Sequence, residues 1–381
     1  MRILTVCTST NVFGAEVITL KMLEGFKRSG HHQLAVTSTW TDGEFNRRLA
    51  ALGISEVRLP FGALSKRLAL QPMWWTANVV GRLPWLWLGW RHVLHEFQPD
   101  IVIFTSWRMA LPVAFSLTHL PAFLVEHSNL EPTKTRLVMY KFLARKLTGF
   151  VAVSNFTGRH LLQLGIAQEQ IHVIRNGVFS DSHRRTIDRA IESRGTHTGS
   201  PRIGIIGQIR PSKGHDILVE ACRLLSARSI PVDIRVFGTG DLKYIASLNQ
   251  KIARYGLSKY WTWMGYQVNS SKIYSGLDIC VMPSFNESFG MVAVEASANE
   301  LPIIASNCGG LPEIIEDGVT GLLVEPGDPN ELADKICWLL DNPEAARRLG
   351  VEGRKKALRE FTQEQMIAGY ETLFRKSLRR S

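Results

Sequence analysis

Arg202-Ile203-Gly204-Ile205-Ile206-Gly207 is an apolar run of strand length that ends on a glycine and leads, through Lys213-Gly214, into a helical pattern. The chain does the same at its start. Ile3 to Cys7 is followed by a loop reaching Gly14, then by a helix that places Ala15, Ile18, Met22 and Phe26 on one face and ends at Ser29-Gly30. Short apolar runs alternating with a 3.6-residue period mark βα units and parallel sheets, so a restart in mid-chain predicts two sheets and an α/β fold of two Rossmann-like domains. Working outward, further strands are expected at Gln33 to Thr37, Ile101 to Phe104, Ala122 to Glu126 and Phe150 to Val153 in the first half. In the second half they are expected at Asp233 to Phe237, Trp261 to Met264, Ile279 to Met282 and Ile303 to Ala305.

These elements divide the chain. Residues 1–180 form a first domain, 201–361 a second, and the polar stretch 181–200, which lacks a sustained apolar period, reads as the linker. Residues 362–381 are helical in pattern and basic at their end, and are expected to pack back across the domain junction. One stretch breaks the rhythm. Between Val57 and His95 there is no acidic residue, yet Trp74, Trp75, Trp85, Trp87 and Trp90 fall there with Lys66, Arg67, Arg82 and Arg91, so 57–95 reads as an insertion. Interrupted by prolines, it is no transmembrane span; its interleaved aromatic and basic residues suit an anionic membrane surface.

The length of 381 residues exceeds what one core usually serves, in keeping with two domains. Lys and Arg outnumber Asp and Glu by 45 to 34, a net charge of +11 that tilts the partners toward anions such as nucleotide phosphates, lipid pyrophosphates and membrane surfaces. Nucleic acid is set aside, since no zinc-finger spacing or aromatic RNA-recognition motif accompanies the charge. The five cysteines are scattered without a C-x-x-C pair, which reads as buried hydrophobes in a reducing, cytoplasmic compartment with neither disulfides nor a zinc site.

Chemistry concentrates in Pro283-Ser284-Phe285-Asn286-Glu287-Ser288-Phe289-Gly290-Met291-Val292-Ala293-Val294-Glu295-Ala296. It follows a strand and opens a helix expected to begin near Ser288, whose free N–H groups and positive dipole end would face an anion lying against Phe289 and Gly290. Gly290 is expected to let that ligand approach the backbone. Glu287 and Glu295 then stand about 12 Å apart at 1.5 Å rise per residue, a span suited to a ligand with hydroxyls at both ends and a diphosphate between. Glu295, set among Met291, Val292, Val294 and Ala296, is costly unless it is paired.

With Gly14-Ala15-Glu16, Glu126-His127, Val153-Ser154, Asn176-Gly177-Val178, Gly207 through Lys213-Gly214 and Gly309-Gly310-Leu311-Pro312-Glu313 in the same order, this Glu-x7-Glu pattern resembles glycosyltransferase family 4 (group 1), the retaining GT-B enzymes. The resemblance covers nearly the whole chain. It implies two Rossmann-like domains facing each other across a nucleotide-sugar cleft, and transfer of a hexose from a UDP- or GDP-sugar to a glycan or polyprenyl-linked acceptor, in bacterial-type polysaccharide assembly on the inner face of the membrane. By the same resemblance Glu287 contacts donor-sugar hydroxyls and Glu295 the ribose. Phe289-Gly290 and the Gly14 loop meet the diphosphate, Gly207 belongs to the donor-binding set, Lys213 neutralises the diphosphate as it leaves, His127 lies near the donor sugar, and Glu16 lies on the acceptor side. The sequence departs from the family pattern at Gln208, where an arginine is usual; Arg210 is expected to supply that charge. Cationic groups and a helix end stabilise the leaving diphosphate without a metal or other cofactor. Retention in the family is explained by same-face attack, with the leaving phosphate accepting the acceptor's proton. The alternatives are a nucleotide-sugar epimerase or phosphorylase of the same fold, and a non-catalytic subunit of an assembly complex. A nicotinamide oxidoreductase lacks its G-x-G-x-x-G.

Overall fold

A computed structural model describes every residue except 8, 10, 11, 42, 63–80, 118, 129, 130, 193–198, 268, 269, 380 and 381. The chain forms two compact units, Met1–Gly177 with Gln363–Ser381, and Val178–Thr362.

In the first unit the strands β1 (Arg2–Val6), β2 (His32–Ser38), β3 (Ser55–Leu59), β4 (Ile101–Phe104), β5 (Ala122–Glu126), β6 (Gly149–Ala152) and β7 (Ile171–Val173) form one sheet in the order β3-β2-β1-β4-β5-β6-β7. Every pairing is parallel. The central strands β1, β4, β5 and β6 are buried nearly throughout, as expected of a sheet covered by helices on both faces. The strand order reverses between β1 and β4, and the carboxyl ends there are where open α/β sheets bind ligands.

The second unit repeats the plan with β8 (Arg202–Ile206), β9 (Asp233–Phe237), β10 (Trp261–Gly265), β11 (Ile279–Met282), β12 (Ile303–Ser306) and β13 (Leu322–Val324), ordered β10-β9-β8-β11-β12-β13. Again all pairings are parallel. The order reverses between β8 and β11.

Two sequence expectations need correction. The stretch 181–200 is not simply a linker: helix Asp181–Glu192 belongs to the second unit, where Ile187 is buried and Asp188 pairs with Arg354, a residue that also meets Glu300 at 3.4 Å. Ile187 and the ion pair to a residue far along the chain help to hold this helix, and neither leaves an apolar period in the sequence. Nor is 57–95 wholly an insertion. Val57 lies in β3 and helix Leu83–Phe97 is the crossover to β4, with Leu86, Trp90 and Val93 buried against the sheet. Trp74, Trp75, Lys66 and Arg67 lie outside the described residues.

The last helix, Gln363–Leu378, packs on helix Gly14–Arg28 of the first unit. Phe26 meets Tyr370 edge-on at 5.6 Å and Phe374 at 5.8 Å, Gln363 donates to the carbonyl of Lys21, and His31 Nε2 lies 3.0 Å from Glu371 Oε1. Among the described residues no helix is long and apolar enough to cross a membrane.

Candidate functional site

In the second unit the loops after β8, β11 and β12 meet at the point of strand-order reversal. After β8 the backbone turns at Gly207, and Arg210 enters a short 3₁₀ turn, Pro211–Lys213, closed by Gly214 in the left-handed region (φ 71°). A Cβ at Gly214 would lie 1.8 Å from the carbonyl oxygen of Pro283, so only glycine lets this loop reach the one after β11. Phe285 N–H then donates to Ser212 O at 3.0 Å, and Gly310 N–H donates to Glu287 O at 2.9 Å. The three loops are thus tied by backbone.

On this base Lys213 Nζ contacts Glu287 Oε2 directly, with both side chains mostly buried. Helix Met291–Ala298 starts after Gly290, later than the expected Ser288. The expectation for Gly290 also changes: its φ is 112° and a Cβ there would come within 2.7 Å of Leu311, so chain reversal and packing require the glycine. Phe289 is buried edge-on against Phe361, 5.7 Å between centroids. Glu295 is paired as its surroundings demand, accepting from the hydroxyl of the fully buried Tyr274 at 2.7 Å. Burial, then the Glu295 charge, pushes the Tyr274 phenol well above its usual range, so it remains a donor. Arg210 is exposed beside this group, its side chain in none of the hydrogen bonds or ion pairs that tie the loops. Next to Lys213, His215 is fully buried, and burial pulls its pKa down to about 4.

In the first unit the carboxyl ends of β1, β4 and β5 open into a cavity of about 830 Å³. Glu16, His127, Trp40, Trp107, Arg108 and Arg136 are among its lining residues. Glu16 caps the helix that follows β1, Oε2 accepting the N–H of Phe13 at 3.0 Å, while facing the cavity; helix-start acid and site residue are here the same side chain. Gly14 is the exposed first residue of that helix. The end of β5 places Glu126 in the interior, where Ser128 Oγ donates at 2.6 Å, Ser128 N–H at 3.1 Å, and Tyr140 donates to the other oxygen. Burial raises the Glu126 pKa despite these donors. His127 lines the cavity half-buried, and burial pulls its pKa down to about 4, leaving it neutral at pH 7.

Thus Lys213, Glu287, Glu295, Phe289, Gly290, Gly207 and Arg210 gather in one unit, and Glu16 and His127 in the other. Sequence reasoning missed Tyr274, Arg108, Arg136, Trp40 and Trp107. For Arg108 the signal was present, since Thr105-Ser106-Trp107-Arg108 is the polar loop directly after a strand.

Two family models match the chain, "Glycosyltransferase Family 4" over residues 12–181 and "Glycosyl transferases group 1" over residues 186–356. A D-inositol 3-phosphate glycosyltransferase of Nocardia farcinica is 30% identical over 239 residues, 60% of this chain and 53% of the relative. The sulfoquinovosyl transferase SQD2 of Arabidopsis thaliana is 26% identical over 71% of this chain and 53% of its own length. The chain spans about half the length of the first such curated relatives. Among solved structures, Alr3699/HepE of Anabaena in complex with UDP-glucose superposes with a TM-score of 0.78 at 22% identity, covering 98% of this chain and 99% of that one, which makes the fold GT-B. With the two family models together spanning nearly the whole chain, it belongs to the group 1, family 4 glycosyltransferases.

Proposed function

We propose that the chain is a retaining hexosyltransferase that binds a UDP- or GDP-sugar in its second unit and transfers the hexose to a glycan or polyprenyl-linked acceptor taken up by its first. The observation that carries this reading is the Lys213–Glu287 contact, set at the strand-order reversal with Glu295 held by Tyr274 on the adjoining helix. A diphosphate entering this site replaces Glu287 as the partner of Lys213 and frees that carboxylate for sugar hydroxyls, while Glu295 takes the ribose. As the bond from the anomeric carbon to the β-phosphate oxygen breaks, Lys213, Arg210 and the N–H groups opening helix Met291–Ala298 stabilise the departing charge without a metal ion. The acceptor oxygen bonds the anomeric carbon on the same face, and its proton passes to the leaving phosphate. The UDP-glucose bound by the Anabaena protein supports the donor class. Polysaccharide assembly at a cytoplasmic membrane surface is the setting that the exposed aromatic residues of helix Leu83–Phe97 favour.

The test is a panel of UDP- and GDP-sugars. The cognate donor raises the melting temperature by mass action and is slowly hydrolysed, and its anomeric configuration persists in the transfer product. Absence of a shift with any nucleotide or nucleotide sugar would overturn the reading.

A further inference from the structure

The cavity of the first unit holds a charge arrangement that hydroxyl recognition does not explain. Arg108 is exposed at the cavity, its guanidinium 4.7 Å from the centroid of the Trp107 ring, and it forms no ion pair with a described residue. Arg136 projects from the first turn of helix Lys134–Ala144 and donates from Nη1 to the carbonyl of Glu131 at 2.7 Å; it too forms no ion pair with a described residue. Both arginines line the same cavity, and both charges act on the Tyr140 hydroxyl behind it.

The acids nearby answer them only in part: the Arg136 charge reaches the Glu126 carboxyl, and Arg108 has no such partner among the described residues. Glu126 lies in the cavity wall, mostly buried, with Ser128 and Tyr140 already on its oxygens, and burial outweighs the Arg136 charge in favouring its neutral form. Glu16 has one oxygen on the N–H of Phe13, and His127 is neutral. Two guanidinium groups held by an aromatic face and a backbone carbonyl, in a cavity partly shut from water, are a preorganised fork for a multi-oxygen anion. Hydroxyls alone leave Arg108 unanswered and Arg136 with only a buried carboxyl that burial drives toward its neutral form.

We propose that this cavity recognises its acceptor through a phosphoryl group held between Arg108 and Arg136, so that the substrate hydroxyl belongs to a phosphorylated polyol or sugar, free or lipid-linked, and not to a neutral glycan. The inference rests on the reading that the first unit takes the acceptor. Trp107 and Trp40 carry Arg108 and Arg82 against their rings, at 4.7 and 4.6 Å from the centroids, and Glu16 and His127 are left for the hydroxyls of the substrate.

The experiment uses the full chain carrying Lys213→Ala, so that the second unit's diphosphate site does not contribute. Calorimetry with glycerol 3-phosphate, against glycerol as the neutral control, is expected to show binding of the phosphate ester alone. Arg108→Gln and Arg136→Gln each weaken it roughly tenfold or more, the scale of a lost charge-assisted contact, and Arg136→Lys restores part of the loss. Flotation with phosphatidylcholine vesicles carrying polyprenyl phosphate, with phosphatidylglycerol vesicles as the control for bare surface charge, separates the sources. Retention specific to polyprenyl phosphate and lost in the arginine variants assigns a lipid-linked phosphate; binding of the soluble ester alone assigns a free one. Binding of neither probe, or binding indifferent to both arginines, overturns the proposal. Should Arg136→Gln fail to fold, the exposed Arg108 decides alone. Melting shifts of the wild-type chain with UDP and GDP run in parallel. A nucleotide shift without phosphate binding sinks only this inference, whereas phosphate binding without a nucleotide shift sinks the donor reading.

Discussion

Among single residues, Lys213 and Glu295 should fail in different ways when removed. Lys213 acts on charge that grows as the diphosphate departs, so Lys213→Ala lowers kcat by about 10²–10³-fold, the scale of losing one preorganised oxyanion donor. Glu295, anchored by Tyr274, holds a part of the donor that does not react, so Glu295→Ala raises the donor KM roughly tenfold and leaves kcat nearly unchanged. Steady-state kinetics with the cognate donor separates the two patterns. Arg210→Ala is expected to be nearly inactive and to recover part of its rate when Gln208→Arg is added; full activity in the single variant would make Arg210 an ordinary surface charge. His127 and His215 give a pH signature. Both remain neutral in the folded protein down to about pH 4, whereas the unfolded chain protonates them from 6.5. The unfolded state therefore binds more protons across that window, and stability falls as pH is lowered from about 6.5 toward 4. Urea midpoints at pH 7, 6 and 5 should decline, and His127→Gln should flatten the slope. At this scale the sequence exposed what sits within one motif: Glu287, Glu295 and Phe289 could be named from a single 14-residue stretch. Tyr274 and Arg136 escaped because their meaning depends on what the fold brings beside them, a carboxylate on another helix in one case and the cavity in the other.

Among elements, the central strands were legible, and of the edge strands only β10, which carries Trp261, Trp263 and Met264, was anticipated. β1, β4, β8 and β11 are buried on both faces and so are written as continuous apolar runs, whereas β3, β7 and β13, all at sheet edges, are short or mixed, and none was anticipated. Helix Asp181–Glu192 was missed for a related reason, being mostly polar with Ile187 the buried anchor among its described side chains. Helix Leu83–Phe97 shows how a tryptophan count can mislead. Trp90 is core and donates to Ser116 Oγ at 2.9 Å, and Trp87 is tied to Pro112 O at 2.9 Å, while Trp85 is 70% exposed and Leu88 62% exposed. Arg82, Trp85, Leu88 and Arg91 recur at three-residue spacing and are all exposed, an apolar and basic helix face suited to the headgroup region of an anionic bilayer, with the Arg82 guanidinium lying over Trp40. Each cation adds roughly 1 kcal/mol near such a surface. Liposome flotation should therefore require anionic lipid, weaken with salt, and drop in Trp85→Ala/Leu88→Ala and in Arg82→Gln/Arg91→Gln. A wild-type chain that stays unbound at low salt on strongly anionic vesicles would point to a soluble acceptor.

For the whole molecule, the return of the last helix to the first unit bears on how the protein is made. Gly177 N–H lies 3.2 Å from Met366 Sδ, so the chain leaves the first unit and re-enters it at nearly the same place. The second unit is, topologically, a cassette carried in a gap of the first. On the ribosome the first unit stays unfinished until the cassette has been synthesised and residues beyond 362 emerge; until then the face of helix Gly14–Arg28 that carries Phe26 waits uncovered, a target for chaperones or for another nascent chain. Residues 1–177 expressed alone should bind a hydrophobic dye and aggregate. The same residues joined to 363–381 through a short Gly-Ser link should be soluble and unfold cooperatively, because the link needs to span only the gap between two points already in contact.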